Sequence, residues 1–283
     1  MAEKEGLFEI DRYDYHAVKG RQVPTGKWRK KDFRDRKTEE YVFDVSTLET
    51  LYKFSKKGLL KALGGPISRG KEAVIFHALG AEEEELAIKM YKVSTATFNL
   101  MREYIVGDPR FENIKKDHRS IIFAWARKEY KNLKRARNAG IRVPKPVAYD
   151  KNLLLMEFIG KDEIAAPRLK DIPVEMLKED FDLDELFHQI ISAVKTMYEK
   201  GTMVHADLSE FNILMKGYGY DCGYDIDTEV EIEPVIIDMG QSLLLNHLHA
   251  GKFLRRDVRN IVIFFNKRGI NYSEDEAMQM VKG

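Results

Sequence analysis

The chain has 283 residues, which at about 150 residues per domain is enough for two domains or lobes and for a sizeable core without disulfide or metal staples. Apolar residues make up 44% and charged residues 33%, with 47 Lys and Arg against 46 Asp and Glu; this excludes a disordered chain and a globally basic nucleic-acid binder. The longest apolar run, 121–126, is far short of the ~20 residues of a membrane span, the charged start carries no secretory leader, and the single Cys222 excludes an internal disulfide framework or a cysteine zinc cluster. These features describe a soluble, intracellular (cytoplasmic) protein with no membrane partner.

In chain order, residues 1–45 show no sustained period and are expected to form a charged, flexible arm. Within it, 27–37 hold seven basic residues against two acidic ones, with Trp28 and Phe33 interleaved. Such a run suits a phosphate backbone, but its plainer and favoured reading is a solvated, mobile tail. A first lobe is expected over 46–158. It opens with a helix at the Ser46 and Glu49 capping-box spacing, carrying Leu48, Leu51, Tyr52 and Phe54. A glycine-containing turn over 64–70 precedes two strands, 73–78 and 86–91, joined by an acidic turn. The polar stretch 92–120 has no clean period and is long for a connection. A helix over about 122–139 ends at Gly140, and 142–146 and 153–158 are extended. A second lobe is expected over 159–283. There Leu183, Leu186, Phe187, Ile190, Ile191, Val194 and Met197 form one helical stripe. A later helix carries Leu254, Val258, Ile261, Val262 and Phe265, and a last one starts at Ser273. A sheet followed mostly by helices predicts an α+β, two-lobed chain.

Several polar residues stand where apolar ones are expected. The 65–71 stretch fits G-x-x-x-x-G-K, but Glu72 replaces the Ser or Thr of a P-loop and a strand follows where a helix is required. A strand-turn-strand with small residues at the bend remains suited to close approach of phosphate, or to a plain hairpin. Lys89 lies in an otherwise apolar strand, and Glu129 falls on the buried stripe formed by Ile122, Ala126, Leu133 and Ala136. A buried carboxylate costs several kcal/mol unless paired, and Lys89 is its obvious partner. Asp207 and Asn212 sit in a loop between apolar flanks, suited to oxygen ligation or general-base work. Asp238 ends an apolar strand just before Gly240. Glycine turn, strand lysine, helix glutamate, D-x-x-x-x-N and D-x-G form, in this order, the part list of kinase phosphoryl transfer. His247 and His249 lack a third metal ligand, and Cys222 has no neighbouring base.

The sequence resembles the RIO family of atypical serine/threonine protein kinases, of the Rio-one type and similar to its short archaeal members. The resemblance rests on Ser68, Gly70, Lys71, Glu72 and Ala73, on 88–94, 107–111, 127–133 and 143–146, on His205, Asp207 and Asn212, and on 237–242. It implies a bilobal kinase-like fold with a small antiparallel-sheet lobe and a reduced, mainly helical second lobe. It implies ATP and Mg²⁺ (or Mn²⁺) as cofactors, autophosphorylation, and a partner in the maturing small ribosomal subunit. By motif, Lys89 contacts the α/β-phosphates and is held by Glu129; Ser68, Gly70 and Lys71 cover the triphosphate. Asp207 is the catalytic aspartate, and Asn212 and Asp238 hold the metal. Met156 is the gatekeeper, with backbone groups of Glu157 and Ile159 reading adenine. Three departures stand out: no G-x-G-x-x-G, Ala206 where most protein kinases place Arg, and Ser209 where they place Lys. A reduced peptide platform makes an ATPase switch on the pre-ribosome the first rival reading, and an RNA-binding module the second. Asp238 is also a possible phosphoryl acceptor.

Overall fold

The computed structural model describes residues 43–93, 101, 104–105, 109–111, 114–115, 117–219 and 231–283. Residues 1–42 of the expected arm, with its 27–37 run, much of the 92–120 stretch and Cys222 therefore lie outside the described residues. Among the described residues no helix is long and apolar enough to cross a membrane.

Helix α1 spans Val45–Lys56. It starts earlier than the Ser46 spacing predicts, because extended Asp44 is the N-cap and its Oδ1 accepts the Thr47 N–H at 2.8 Å. Its buried face also differs from the expected stripe. Leu51 and Phe54 are buried, but Leu48 and Tyr52 are exposed, and Thr47 and Thr50 turn inward instead. The hydroxyls explain the swap: Thr47 pairs with Asn152, and the Thr50 hydroxyl donates to the Ser46 carbonyl at 2.9 Å.

Five antiparallel strands follow: β1 (Ala62–Arg69), β2 (Ala73–Leu79), β3 (Glu85–Tyr91), β4 (Pro146–Asp150) and β5 (Leu153–Glu157), in the order β1-β2-β3-β5-β4. The glycine segment 64–69 is thus strand rather than turn. Pro66 has no N–H to donate, which an edge strand tolerates, and the register slips on both sides of it. The bend is confined to 70–72. Side chains of β3 alternate: Leu86, Ile88 and Met90 pack with Leu51 and Phe54 of α1, whereas Ala87 and Tyr91 join the core on the other face. Both faces are covered, so the strand reads as one apolar run.

That other face receives α2 (His118–Asn138), capped by Asp117. Beyond β5 the chain forms the short strands β6 (Gly160–Lys161) and β7 (Ile164–Ala165), then helices α3 (Val174–Asp180) and α4 (Leu183–Glu199). Strands β8 (Met203–Val204), β9 (Ile213–Lys216), β10 (Glu233–Ile236) and β11 (Leu243–Leu244) follow, then α5 (Ala250–Asn266) and α6 (Glu274–Lys282). The α4 stripe is buried as its 3.6-residue period predicts, and α6 begins with the Ser273–Glu276 capping box. The architecture is a bilobal α+β fold, a small antiparallel sheet lobe joined through 157–160 to a helical lobe.

Candidate active site

On β3, Lys89 points toward α2 and is 7% exposed, while Glu129 is 1% exposed. The Lys89 ammonium donates to both Glu129 carboxylate oxygens at 2.9 Å and to Asp238 Oδ1 at 2.8 Å. All three of its protons are thereby committed to acceptors. Burial disfavours the ammonium, but the charges of Asp238 and Glu129 outweigh it and hold the Lys89 pKa above the ordinary lysine range. The Tyr91 hydroxyl also donates to Glu129. The sequence expectation of a Lys89–Glu129 pair holds, and the structure adds Asp238 as a second carboxylate on the same lysine.

Asp238 lies two residues past β10 with φ at +63°, the left-handed region that a non-glycine residue adopts at some cost. Burial would raise its pKa, yet Lys89 holds it below the ordinary carboxylate range. The residues after it are gripped by α2. Buried Lys128 donates to the carbonyls of Gly240 at 2.6 Å and Ser242 at 2.8 Å, and Asn132 Nδ2 donates to those of Met239 at 2.8 Å and Ser242 at 3.2 Å. Helix α2 therefore positions both Glu129 and the Asp238 segment.

Asp207 is half-buried in the loop between β8 and β9. Burial and the nearby Asp238 charge raise its pKa, against the opposing pull of Arg256 and Asn212. Asn212 Nδ2 donates to the Asp207 carbonyl at 2.8 Å, and Gln241 Nε2 to Asp207 Oδ2 at 3.2 Å. Helix α5 holds the loop from below. Asp257 accepts the N–H groups of Ala206 at 2.7 Å and Leu208 at 2.9 Å, Asn260 Nδ2 donates to the Leu208 carbonyl at 2.9 Å, and Arg256 donates to the Ala206 carbonyl. Ala206 has φ at +65°, and these bonds over-determine it. His205 is buried; its Nε2 lies 3.0 Å from the Ile237 carbonyl and so carries the proton.

Asp257, Arg256 and Asn260 escaped the sequence reading, and Lys128 and Asn132 entered it only within the 127–133 match, with no role assigned. A signal was present for two of them. Asp257 sits on the buried α5 stripe beside Leu254, Val258 and Ile261, as Glu129 does on α2, and Lys128 lies one position off the α2 stripe. Glu72 counted against a P-loop and toward the family resemblance, but with no role of its own; its half-buried carboxylate is raised by burial and by Asp238, and feels Lys89 and Asp207.

The remaining expected positions lie on β1, on the bend after it and on β5 with the segment that follows. Ser68 lies on β1 and its hydroxyl accepts from Arg168 Nη2 at 3.4 Å. Gly70 donates its N–H to the Ala73 carbonyl at 2.9 Å and accepts from Lys92 Nζ at 2.7 Å, so its backbone serves the bend itself. Lys71 is exposed at the tip. Met156 is buried on β5 opposite Ala87. The Glu157 N–H donates to the Lys145 carbonyl at 2.8 Å, and the Ile159 carbonyl accepts from Ala166 at 2.9 Å. The Glu157 N–H and the Ile159 carbonyl are thus both used within the fold.

His247 and His249 stack obliquely ahead of α5, and among the described residues no group of three or more His, Cys, Asp or Glu is arranged to hold a metal. Ser120 lies in the first turn of α2, where its N–H and its hydroxyl donate to the Asp117 cap at 3.0 and 2.6 Å.

Comparison with known proteins finds relatives over most of the chain. The RIO domain model matches residues 74–278. The chain is 37% identical over 265 residues to the RIO-type serine/threonine-protein kinase Rio1 of Haloferax volcanii, covering 94% of this chain and 84% of that one. It is 36% identical over 283 residues to Rio1 of Methanocaldococcus jannaschii, covering all of this chain and 87% of the relative. Against human serine/threonine-protein kinase RIO1 it is 38% identical over 254 residues, but spans only 42% of that protein. In fold it is similar to the Rio2 kinase of Chaetomium thermophilum, with a TM-score of 0.58 at 19% identity over 84% of this chain and 69% of that one. A second structure of that kinase, described as an ADP/Mg²⁺-phosphoaspartate complex, gives 0.57 at 19% identity, covering 82% of this chain and 66% of that one. The converging Lys89, Glu129, Asp207 and Asp238, the RIO domain match and the Rio1 relatives together place the chain in the RIO family of atypical serine/threonine-protein kinases, of the Rio1 type.

Proposed function

We propose that the cleft transfers the γ-phosphoryl group of ATP, first to a hydroxyl of the protein itself, during maturation of the small ribosomal subunit in the cytoplasm. The observation that carries the chemistry is the single ammonium of Lys89 held between Glu129 and Asp238. In phosphoryl transfer, catalysis is mostly positioning and charge neutralisation. For the Lys89 ammonium to reach the α/β-phosphates, its bond to Asp238 must give way while the Glu129 fork keeps the amine in place. The released Asp238 carboxylate and the Asn212 side chain are hard oxygen donors. They suit Mg²⁺ or Mn²⁺, which relies on one or two protein oxygens plus substrate phosphates rather than a closed cage. When bound, the cation neutralises charge on the phosphate oxygens. Asp207, with its raised pKa, accepts the proton of the attacking hydroxyl as the Pγ–O bond to ADP breaks. Ser68, Gly70 and Lys71 cover the phosphates, and Met156, Glu157 and Ile159 bound the adenine end.

The ribosomal role is carried over from the resemblance to the RIO family, and the basic 27–37 run would suit contact with RNA phosphates. A second reading, an ATPase switch, is favoured by Asp238 itself: its side chain is 47% exposed to the cleft and one carboxylate oxygen is bonded to Lys89. Its other oxygen can attack the γ-phosphorus, releasing ADP, and water then frees phosphate from the acyl phosphate.

One experiment tests both. With γ-labelled ATP, the wild-type chain should incorporate label and release phosphate, small-subunit particles should increase the turnover, and Lys89→Ala should cut both by about a hundredfold or more. Hydroxylamine should remove part of the early label, and Asp238→Asn should lack that fraction. Undiminished turnover in folded Lys89→Ala rejects the site, no effect of the particles removes the ribosomal role, and label wholly resistant to hydroxylamine leaves Asp238 a metal ligand only.

A further inference from the structure

The connection between α2 and β4, residues 142–145, runs between the hinge and the strand that leads to Asp238. On the hinge side, the Lys145 carbonyl accepts the Glu157 N–H at 2.8 Å; on the other, the Arg142 carbonyl accepts the Ile236 N–H at 3.0 Å. The Arg142 side chain repeats the bridge. Its Nη1 and Nη2 donate to the two Glu157 carboxylate oxygens at 3.0 and 2.7 Å, and its Nε donates to Glu233 Oε1 at 2.9 Å. The Lys145 N–H adds a third bond to the Glu157 carboxylate at 2.9 Å, and Lys216 Nζ a second to Glu233 at 3.2 Å.

Glu157 begins the hinge, immediately after Met156. Glu233 begins β10, which ends two residues before Asp238. One residue thus touches the hinge through its guanidinium and β10 at both ends, through its guanidinium and its carbonyl. A bidentate fork fixes angle as well as distance, and Pro144 and Pro146 stiffen the same connection. Burial would favour neutral carboxyls, yet Arg142 keeps both Glu157 and Glu233 below the ordinary range, so the whole network stays ionised at neutral pH.

We propose that Arg142 is a positioning residue for the nucleotide: it sets the spacing between the base-facing hinge at Glu157 and the Asp238 carboxylate at the phosphate end. This rests on the phosphotransferase reading. Two half-sites held at fixed spacing let base and phosphates bind together without reordering the joint between them. When the joint is loose, the nucleotide must order it on binding, whereas a ligand that touches only the phosphate end is unaffected.

The test is calorimetric titration of the full chain with ADP and with pyrophosphate, both with Mg²⁺. Arg142→Gln should weaken ADP by about tenfold and pyrophosphate by less than about twofold. Glu233→Gln should act in the same direction more weakly, and the double variant should lose less than the product of the two. Unchanged ADP affinity in a folded Arg142→Gln protein overturns the proposal, as does an equal loss for both ligands. If Arg142→Gln does not fold, the ADP-to-pyrophosphate ratio of Glu233→Gln decides in the same way. Failure of the underlying reading shows separately, as Lys89→Ala binding ADP like the wild type.

Discussion

Lys89, Glu129 and Asp257 each put an ionisable group on a surface that the fold buries, and each is tolerated because a specific partner meets it. For Lys89 and Glu129 the partners are mutual. For Asp257 they are the backbone N–H groups of Ala206 and Leu208, and burial still pushes its carboxyl up to about 7, above the usual carboxylate range. The consequence for pH follows from linkage. From about pH 4 upward the unfolded chain releases this proton, while the folded chain keeps it until near pH 7. Stability contributed by this group is therefore full below about pH 4 and lost as pH rises through 7. Asp257→Asn removes the titration and leaves one loop N–H poorly paired, a cost of about 1–3 kcal/mol. Melting curves should show the wild type above the variant at pH 5, with the gap narrowing by pH 7.5. A gap that widens over this range would contradict the assignment.

At the scale of elements, α2 decides the geometry of the site. Its Trp125, Lys128, Glu129 and Asn132 meet β3 on one side and the 239–242 segment on the other. Gly240 is where that approach is closest: a Cβ there would lie 2.9 Å from Trp125 Nε1, and Trp125 is itself buried. Gly240→Ala should cost about 1–3 kcal/mol by overpacking, and should reduce turnover further than the stability loss explains, because Asp238 is two residues away. Gly251, on α5, has open space where its Cβ would be. Gly251→Ala should be neutral or stabilising by up to about 1 kcal/mol. Urea unfolding and turnover measured on both variants give the comparison; equal effects would show that α2 does not set the 239–242 path.

At the scale of the molecule, the two lobes are joined by the hinge and by the Arg142 network, while the basic arm precedes the described residues. Net charge is close to neutral overall, so any strong salt dependence of binding to ribosomal RNA must come from a local patch. With 27–37 as that patch, the slope of log K against log salt should become shallower on deleting residues 1–40, by roughly 0.7–0.9 for each phosphate that the arm neutralises. Titrations of small-subunit particles at several salt concentrations measure it. An unchanged slope would leave the arm as a solvated tail.

The sequence alone determined the elements whose period is strong and the residues whose chemistry contradicts their surroundings. The α4 stripe, strands β2 and β3, the Ser273 box and the Lys89–Glu129 pair were legible because burial alternation and the cost of an unpaired charge are local properties. The same rule, carried to α5, would have found Asp257. Other features were decided by tertiary packing. Asp44 displaced Ser46 as a cap, and Thr47 turned inward because Asn152, 105 residues away, satisfies its hydroxyl. The glycine segment became an edge strand because β2 was there to pair with it. The third proton of Lys89 goes to Asp238, and Arg142 joins Glu157 to Glu233, through side chains whose spacing along the chain carries no period. Hydrogen bonds between distant loops depend on where the packed lobes bring their ends, and that is set by the whole core at once.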